Sequence, residues 1–148
     1  MSHVNALYHI VFATYERRMT ITNEYREDVY RFIWSIISEK RSNLLRIGGI
    51  ANHIHILLNL HPSVSLSDMV RDIKAKSSGW LRKDNRFPYF EGWAKEYFAA
   101  TISFDDRHRV IEYIKGQQQH HNIQTFDDEY NEMLSSEGLE MPYDSDKR

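Results

Sequence analysis

Two histidines one residue apart, His53 and His55, stand inside the apolar run Asn52-His53-Ile54-His55-Ile56-Leu57-Leu58. In a β-strand the side-chain period is two, so both imidazoles point to one face while Ile54, Ile56 and Leu58 point to the other. Neutral imidazole is a common metal ligand, and a strand holds the pair at a set spacing. Histidines that pack or face solvent meet the same spacing. A third ligand and a reacting group must come from elsewhere in the chain.

Tyr113-Ile114-Lys115-Gly116-Gln117 offers both. On a helix, Tyr113 and Gln117 at i and i+4 lie on one face, so a phenol and an amide oxygen can be directed at one place. Taken alone, a tyrosine on an amphipathic helix is ordinary core packing. Gly116 costs such a helix about 1 kcal/mol relative to alanine and brings no packing gain legible in the sequence. A deprotonated phenol is a competent nucleophile and forms a stable ester with phosphorus. A divalent ion held by His53, His55 and Gln117 would polarise a scissile phosphate and neutralise developing charge. The phosphotyrosine so formed retains the energy of the broken phosphodiester, and a free hydroxyl can reverse the reaction.

These residues need elements to position them. Residues 5 to 13 are β-branched and aromatic without Gly or Pro, which predicts a buried strand, and 14 to 18 a loop. A helix capped by Thr22 or Asn23 runs to about Lys40, with Tyr25, Val29, Phe32, Ile33, Ile36 and Ile37 as its apolar stripe. Residues 44 to 51 and 52 to 60 form a hairpin of strands, turning between Gly48 and Asn52, with Gly48-Gly49 marking a bulge or a close backbone approach. Ser65 to Asp68 has capping-box spacing and opens a second helix with Leu66, Met69, Val70, Ile73, Ser77 and Leu81 inward. The aromatic stretch 87 to 95 is a loop or short strand, suited to packing or to stacking on bases. Tyr97 to Ile102 is a fourth strand, and a third helix runs from Phe104 to about Gln119 behind Ser103. A short helix after Thr125 presents Phe126, Tyr130, Met133 and Leu134, and the end frays from Pro142. The first six elements predict an α+β, ferredoxin-like (RRM-like) β-α-β-β-α-β sandwich: an antiparallel sheet with helices on one face, plus the C-terminal tyrosine-bearing helix.

The 148 residues are read as one domain, 1–148, with neither repeat nor linker. Without cysteine, disulfides, thiol nucleophiles and thiolate zinc sites are excluded. No apolar run is long enough for a bilayer and no secretory signal opens the chain, so a cytoplasmic protein is expected. The net charge of −2 conceals a division. An acidic extension from about 125 to 148 holds eight acids against Lys147 and Arg148, or −6, which leaves +4 for the preceding 124 residues. Arg71, Lys74, Lys76, Arg82 and Lys83 concentrate positive charge on and after the second helix, either as a solvated face or as one that tracks phosphates.

The chain resembles the HUH single-tyrosine transposases of small bacterial insertion sequences and the related REP-associated tyrosine transposases. The blocks that carry the likeness are Tyr8-His9-Ile10-Val11-Phe12-Ala13-Thr14, Gly48-Gly49-Ile50-Ala51-Asn52-His53-Ile54-His55, Ile73-Lys74-Ala75-Lys76-Ser77-Ser78-Gly79-Trp80, Tyr113-Ile114-Lys115-Gly116-Gln117 with His120-His121, and Thr125-Phe126-Asp127-Asp128-Glu129-Tyr130. The resemblance implies Tyr113 as nucleophile, His53, His55 and Gln117 as metal ligands, and Mg2+ or Mn2+ as the metal. It also implies hairpin-bearing single-stranded DNA as substrate, a 5′-phosphotyrosine with a free 3′-hydroxyl as product, and a homodimer in which one subunit's tyrosine helix can complete the other's site. Arg17 joins the five basic residues named above as an expected DNA contact. A domesticated REP-associated endonuclease is the nearest alternative. A non-catalytic single-stranded nucleic-acid-binding domain is the other, though binding alone would need none of the four site residues. His120 and His121 either approach the site or cap a helix C-terminus; His61 and His108 are expected on the surface.

Overall fold

The computed structural model describes residues 2–121 and 124–139. Strand β1 (Leu7–Ala13) leads to α1 (Arg26–Glu39), the hairpin β2 (Asn43–Ile50) and β3 (His53–Asn59), α2 (Leu66–Lys83) and β4 (Phe98–Ile102). The sheet order is β2-β3-β1-β4 with every neighbouring pair antiparallel, the expected ferredoxin-like arrangement. Three further helices follow: α3 (Arg107–Lys115), the single turn α4 (Gln117–His120) and α5 (Phe126–Ser136). No helix among the described residues is long and apolar enough to cross a membrane.

Period-two alternation sorts the sheet into two buried faces. Ile10, Phe12, Ile54, Ile56 and Leu58 face α1 and α2, which contribute Val29, Ile33, Ile37, Met69, Val70, Ile73 and Leu81. On the other face Val11 and Ala13 pack against Phe126, Tyr130 and Leu134 of α5, and Leu57 against Val110 and Ile114 of α3. The helices expected on one face thus account for half of the cover. A strand buried on both faces reads as a near-continuous apolar run, which is how β3 reads in the sequence.

Local chemistry explains most boundaries. The Ser65 hydroxyl accepts the Asp68 amide at 3.1 Å and the Thr125 hydroxyl accepts that of Asp128 at 3.2 Å, so two helices start on side-chain caps. The first helix does not begin at Thr22 or Asn23: residues 22 to 25 form a turn, and α1 starts at Arg26 without a side-chain cap. Tyr30, outside the expected stripe, is buried in the core, and Phe32 packs at the edge of that core with its ring stacked at 4.8 Å on Trp80. The aromatic loop packs: Phe87 and Phe90 are buried, Trp93 meets Phe12 edge-on at 4.9 Å, and its indole N–H donates to Ser77 Oγ. The third helix is divided, with a 3-10 turn at Phe104–Asp106 before α3 and an interruption at Gly116 before α4. Nor is the acidic stretch from 125 simply a solvated extension, because α5 packs on the sheet and buries Glu129. Residues 140–148, including the end expected to fray, lie outside the described residues.

The Gly48-Gly49 pair marks a close approach rather than a bulge, since the register irregularity of β2 lies between Leu44 and Arg46. A Cβ on Gly48 would sit 2.9 Å from Ile114 Cγ2 and 3.0 Å from the Ile114 carbonyl. That clearance lets the end of α3, with Tyr113, settle onto the sheet beside β3. A Cβ on Gly49 would stand 2.2 Å from the His53 carbonyl oxygen, and neither backbone can yield without breaking the hairpin. Gly49→Ala is therefore expected to destabilise the fold by about 3 kcal/mol, at the upper end of overpacking penalties. A urea midpoint within error of the wild type would show that this clearance is not needed.

Candidate metal centre and tyrosine

His53 and His55 project from β3 into the face covered by α3 and α5, and both are fully buried. His53 stacks on Phe126 with 4.0 Å between ring centroids. Its Nδ1 lies 2.9 Å from the Asn52 amide oxygen, and the Asn52 amide nitrogen donates to the Arg17 carbonyl. That orientation makes the Asn52 oxygen an acceptor, so His53 carries its proton on Nδ1 and turns the Nε2 lone pair inward. His55 Nδ1 lies 2.9 Å from Nε2 of His9, a β1 residue stacked beside it.

Three more groups close the cluster. Gln117, 1% exposed, places Oε1 at 2.8 Å from His53 Nε2 and donates from Nε2 to Glu129 Oε2 at 2.8 Å. Glu129, also 1% exposed, directs Oε1 at His55 Nε2 (3.4 Å), His53 Nε2 (3.5 Å) and His121 Nε2 (3.0 Å). The Tyr113 hydroxyl donates to Glu129 Oε2, and the phenol ring meets His55 and His9 edge-on. A cleft of about 310 Å³ between α3 and α5, lined by His9, Arg109, Tyr113, Glu129 and Glu132, leads to the phenol.

The electrostatics favour neutral imidazoles around a carboxylate. Burial, reinforced by the neighbouring imidazole, pushes His9 down to about 3 and His53 well below its ordinary range. His55 is lowered by burial too. Burial would raise Glu129, but the neighbouring His55 and the hydrogen bonds donated by Tyr113 and Gln117 hold it below the usual carboxylate range. Burial and then the adjoining carboxylate push the Tyr113 phenol far up.

A metal ion fits this donor set. The ligand atoms of His53, His55 and Glu129 lie within 4.8 Å of one another. His55 Nε2 is buried without a hydrogen-bond partner among the described residues. The His53 lone pair faces a second acceptor, the Gln117 oxygen, across 2.8 Å. Converging lone pairs without a proton between them are satisfied by a cation, and imidazole, carboxylate and amide oxygens together suit a divalent one.

The shifts have a consequence for stability. Between about pH 6.5 and 3 the unfolded chain protonates His9 while the folded chain does not, and His53 and His55 are shifted the same way. The stabilisation is complete above the ordinary histidine range and is lost as pH falls through this window, at up to about 1.4 kcal/mol per pH unit per histidine. Urea midpoints of metal-free protein should drop from pH 7 to pH 4.5; a flat profile would mean that the imidazoles are protonated in the fold.

All four site residues expected from the sequence come together, with Tyr113 and Gln117 on successive helical segments flanking the Gly116 break. The basic residues divide. Arg71, Lys74 and Arg82 line a groove of about 520 Å³ with Trp93 and Tyr97, on the opposite sheet face from the histidines. Each is engaged there: Arg71 with Asp68, Lys74 with the Ala94 and Lys95 carbonyls, Arg82 with the Glu91 carbonyl. Lys76 lies 3.7 Å from Glu39, and Lys83 is exposed at the end of α2. Arg17 joins the other face, ion-paired with Asp127 and set against the Phe126 and Tyr130 rings. His61 bonds Ser63, and His108 is exposed.

Sequence reasoning missed His9 and Glu129 as members of the cluster, and left His121 open between site and cap. A signal existed for Glu129: three residues after Phe126 and one before Tyr130, it interrupts the apolar stripe of α5 with an acid.

Residues 2–117 match the family described as transposase, IS200 like. The transposases for insertion sequence element IS200 of Salmonella typhimurium and Salmonella typhi are each 33% identical over 118 residues, spanning 76% of this chain and 77% of theirs. Among solved structures, a Deinococcus radiodurans protein described as a transposase shares the fold with a TM-score of 0.59 at 22% identity, over 78% of this chain and 93% of that one. A REP-associated tyrosine transposase bound to a REP hairpin shares it with a TM-score of 0.63 at 14% identity, over 82% and 72%.

Proposed function

Since the chain belongs to the IS200-like transposase family, a family of DNA-cleaving enzymes, we propose that it cuts and rejoins single-stranded DNA through a 5′-phosphotyrosine at Tyr113. The observation that carries this reading is the convergence of the Tyr113 hydroxyl with His53, His55, Gln117 and Glu129 in one buried cluster. The phenol oxygen attacks phosphorus, the bond from phosphorus to the 3′ oxygen breaks, and the departing oxygen takes up a proton as the phenol gives one up. A 3′-hydroxyl attacking the phosphotyrosine reverses these steps, so no nucleotide is hydrolysed. His53, His55 and Gln117 would hold Mg2+ or Mn2+, which supplies polarisation of the phosphate and neutralisation of its developing charge.

The protein's own groups orient and exclude. His9 and His55, stacked on each other, meet the phenol ring edge-on, and the stacked Phe126 covers His53. The substrate is hairpin-bearing DNA in the cytoplasm, contacted along α2 by Arg71, Lys74, Lys76, Arg82 and Lys83 and, beside α5, by Arg17. Residues 1–148 act as one domain, in a homodimer. Because Tyr113 packs on histidines of its own chain, the geometry supports a site assembled within each subunit.

The test is a denaturing gel. Wild-type protein with Mn2+ and a hairpin oligonucleotide labelled downstream of the cut should yield a covalent species carrying the label. Label retained only when placed upstream would reverse the polarity, and no covalent species with either label would reject the reading.

A further inference from the structure

An acid buried on the apolar stripe of a helix is costly unless its charge is met. Glu129 is such an acid, and its ion-pair partners among the described residues are all histidines: His53, His55, His120 and His121. The two on β3 are held neutral by burial. A glutamine would fill the same volume without the charge, so packing alone does not account for the residue.

The two carboxylate oxygens face different groups. Oε1 looks at the inward nitrogens of His53 and His55, at 3.5 and 3.4 Å. Oε2 takes the Tyr113 hydroxyl and the Gln117 amide N–H. The helix that presents it is fixed at several points: Thr125 caps its start, Phe126, Tyr130 and Leu134 anchor it on β1 and β4, and Arg17 pairs with Asp127. Glu129 nonetheless lies beyond residue 117, where the family match ends.

We propose that Glu129 is a carboxylate ligand of the metal site through Oε1 and the positioning residue of the Tyr113 hydroxyl through Oε2. One side chain thereby ties the nucleophile to the metal, and α5 completes the reaction centre within the same chain. The proposal rests on the strand-transfer reading above and adds to it a residue from outside the matched segment.

The experiment compares full-length wild type, Glu129→Gln and Glu129→Ala. Mn2+ affinity is read without DNA from the electron paramagnetic resonance signal of free Mn2+, and covalent adduct formation from a hairpin oligonucleotide at saturating Mn2+. Circular dichroism checks that each variant is folded; the isosteric Gln variant keeps the test informative if the Ala variant is not. Both substitutions should weaken Mn2+ binding at least tenfold, the least expected even for losing a group that only orients a metal's ligands, and slow adduct formation by more than tenfold. Mn2+ affinity within threefold of wild type would overturn the ligand role. Faster adduct formation in the variants would make α5 a cover over the site and overturn the positioning role. Wild type that binds Mn2+ but forms no adduct counts against the strand-transfer reading alone, whereas wild type that binds no Mn2+ overturns the ligand role directly.

Discussion

Tyr113→Phe is expected to eliminate the covalent protein–DNA species while leaving hairpin binding unchanged. The substitution removes one oxygen, and no hydroxyl remains among the groups converging on the cluster to replace it. Water could still attack the phosphate, but without covalent capture, so no denaturation-resistant species forms. The loss should exceed about a thousandfold, as expected when a nucleophile is removed from residues that act as a unit. Stability should move little. The lost hydrogen bond to Glu129 is worth about 1 kcal/mol, and Glu129 Oε2 keeps the Gln117 amide as a donor. A variant that still gave a covalent band would place the nucleophile elsewhere.

The second large effect is expected from His53→Ala. The imidazole is packed on Phe126 and donates from Nδ1 to the Asn52 amide oxygen, so truncation opens a cavity and leaves that oxygen short of a partner. A cost of about 3 kcal/mol combines the cavity and the lost hydrogen bond. Adduct formation should fall by at least about a hundredfold even where the variant is fully folded, because a ligand itself is gone. Calorimetry with added Mn2+ separates the two effects, since a variant that is folded but no longer binds the ion has lost the site alone. The matching experiment on the wild type is chelation: adduct formation should stop in excess chelator and return with Mn2+. Undiminished activity in chelator would remove the metal from the reaction.

How much of this was legible in the chain depended on how local the signal was. The H-x-H pair is a statement about one strand, and strand periodicity places both imidazoles on one face whatever surrounds them. Tyr113 and Gln117 are one helical turn apart, so their convergence survives the interruption at Gly116. The capping motif at Ser65 acts within three residues and produced a helix where expected, whereas Ser103, with the same spacing, makes no side-chain cap. Thr22 and Asn23 show the limit of that logic, because they fall in a turn closed by the Tyr25 amide on the Thr22 carbonyl, and α1 starts at Arg26 without a side-chain cap. Gly48-Gly49 announced a close approach, but only the arrival of Ile114 from 66 residues later showed what approaches.

The period-two pattern and order of the strands, the helical stripes and the spacing of the histidines and tyrosine were thus determined by the amino-acid sequence itself, since each depends on neighbours a few bonds away. What the tertiary structure decided is the company those residues keep. A carboxylate from α5, an imidazole from β1 and a second histidine from beyond α4 meet the H-x-H pair only because the sheet is covered on both faces. In the sequence Glu129 is one acid among eight in an acidic stretch. Its burial follows from the apolar residues on either side of it, which draw α5 onto the sheet and carry the charge into a place where only specific partners can satisfy it.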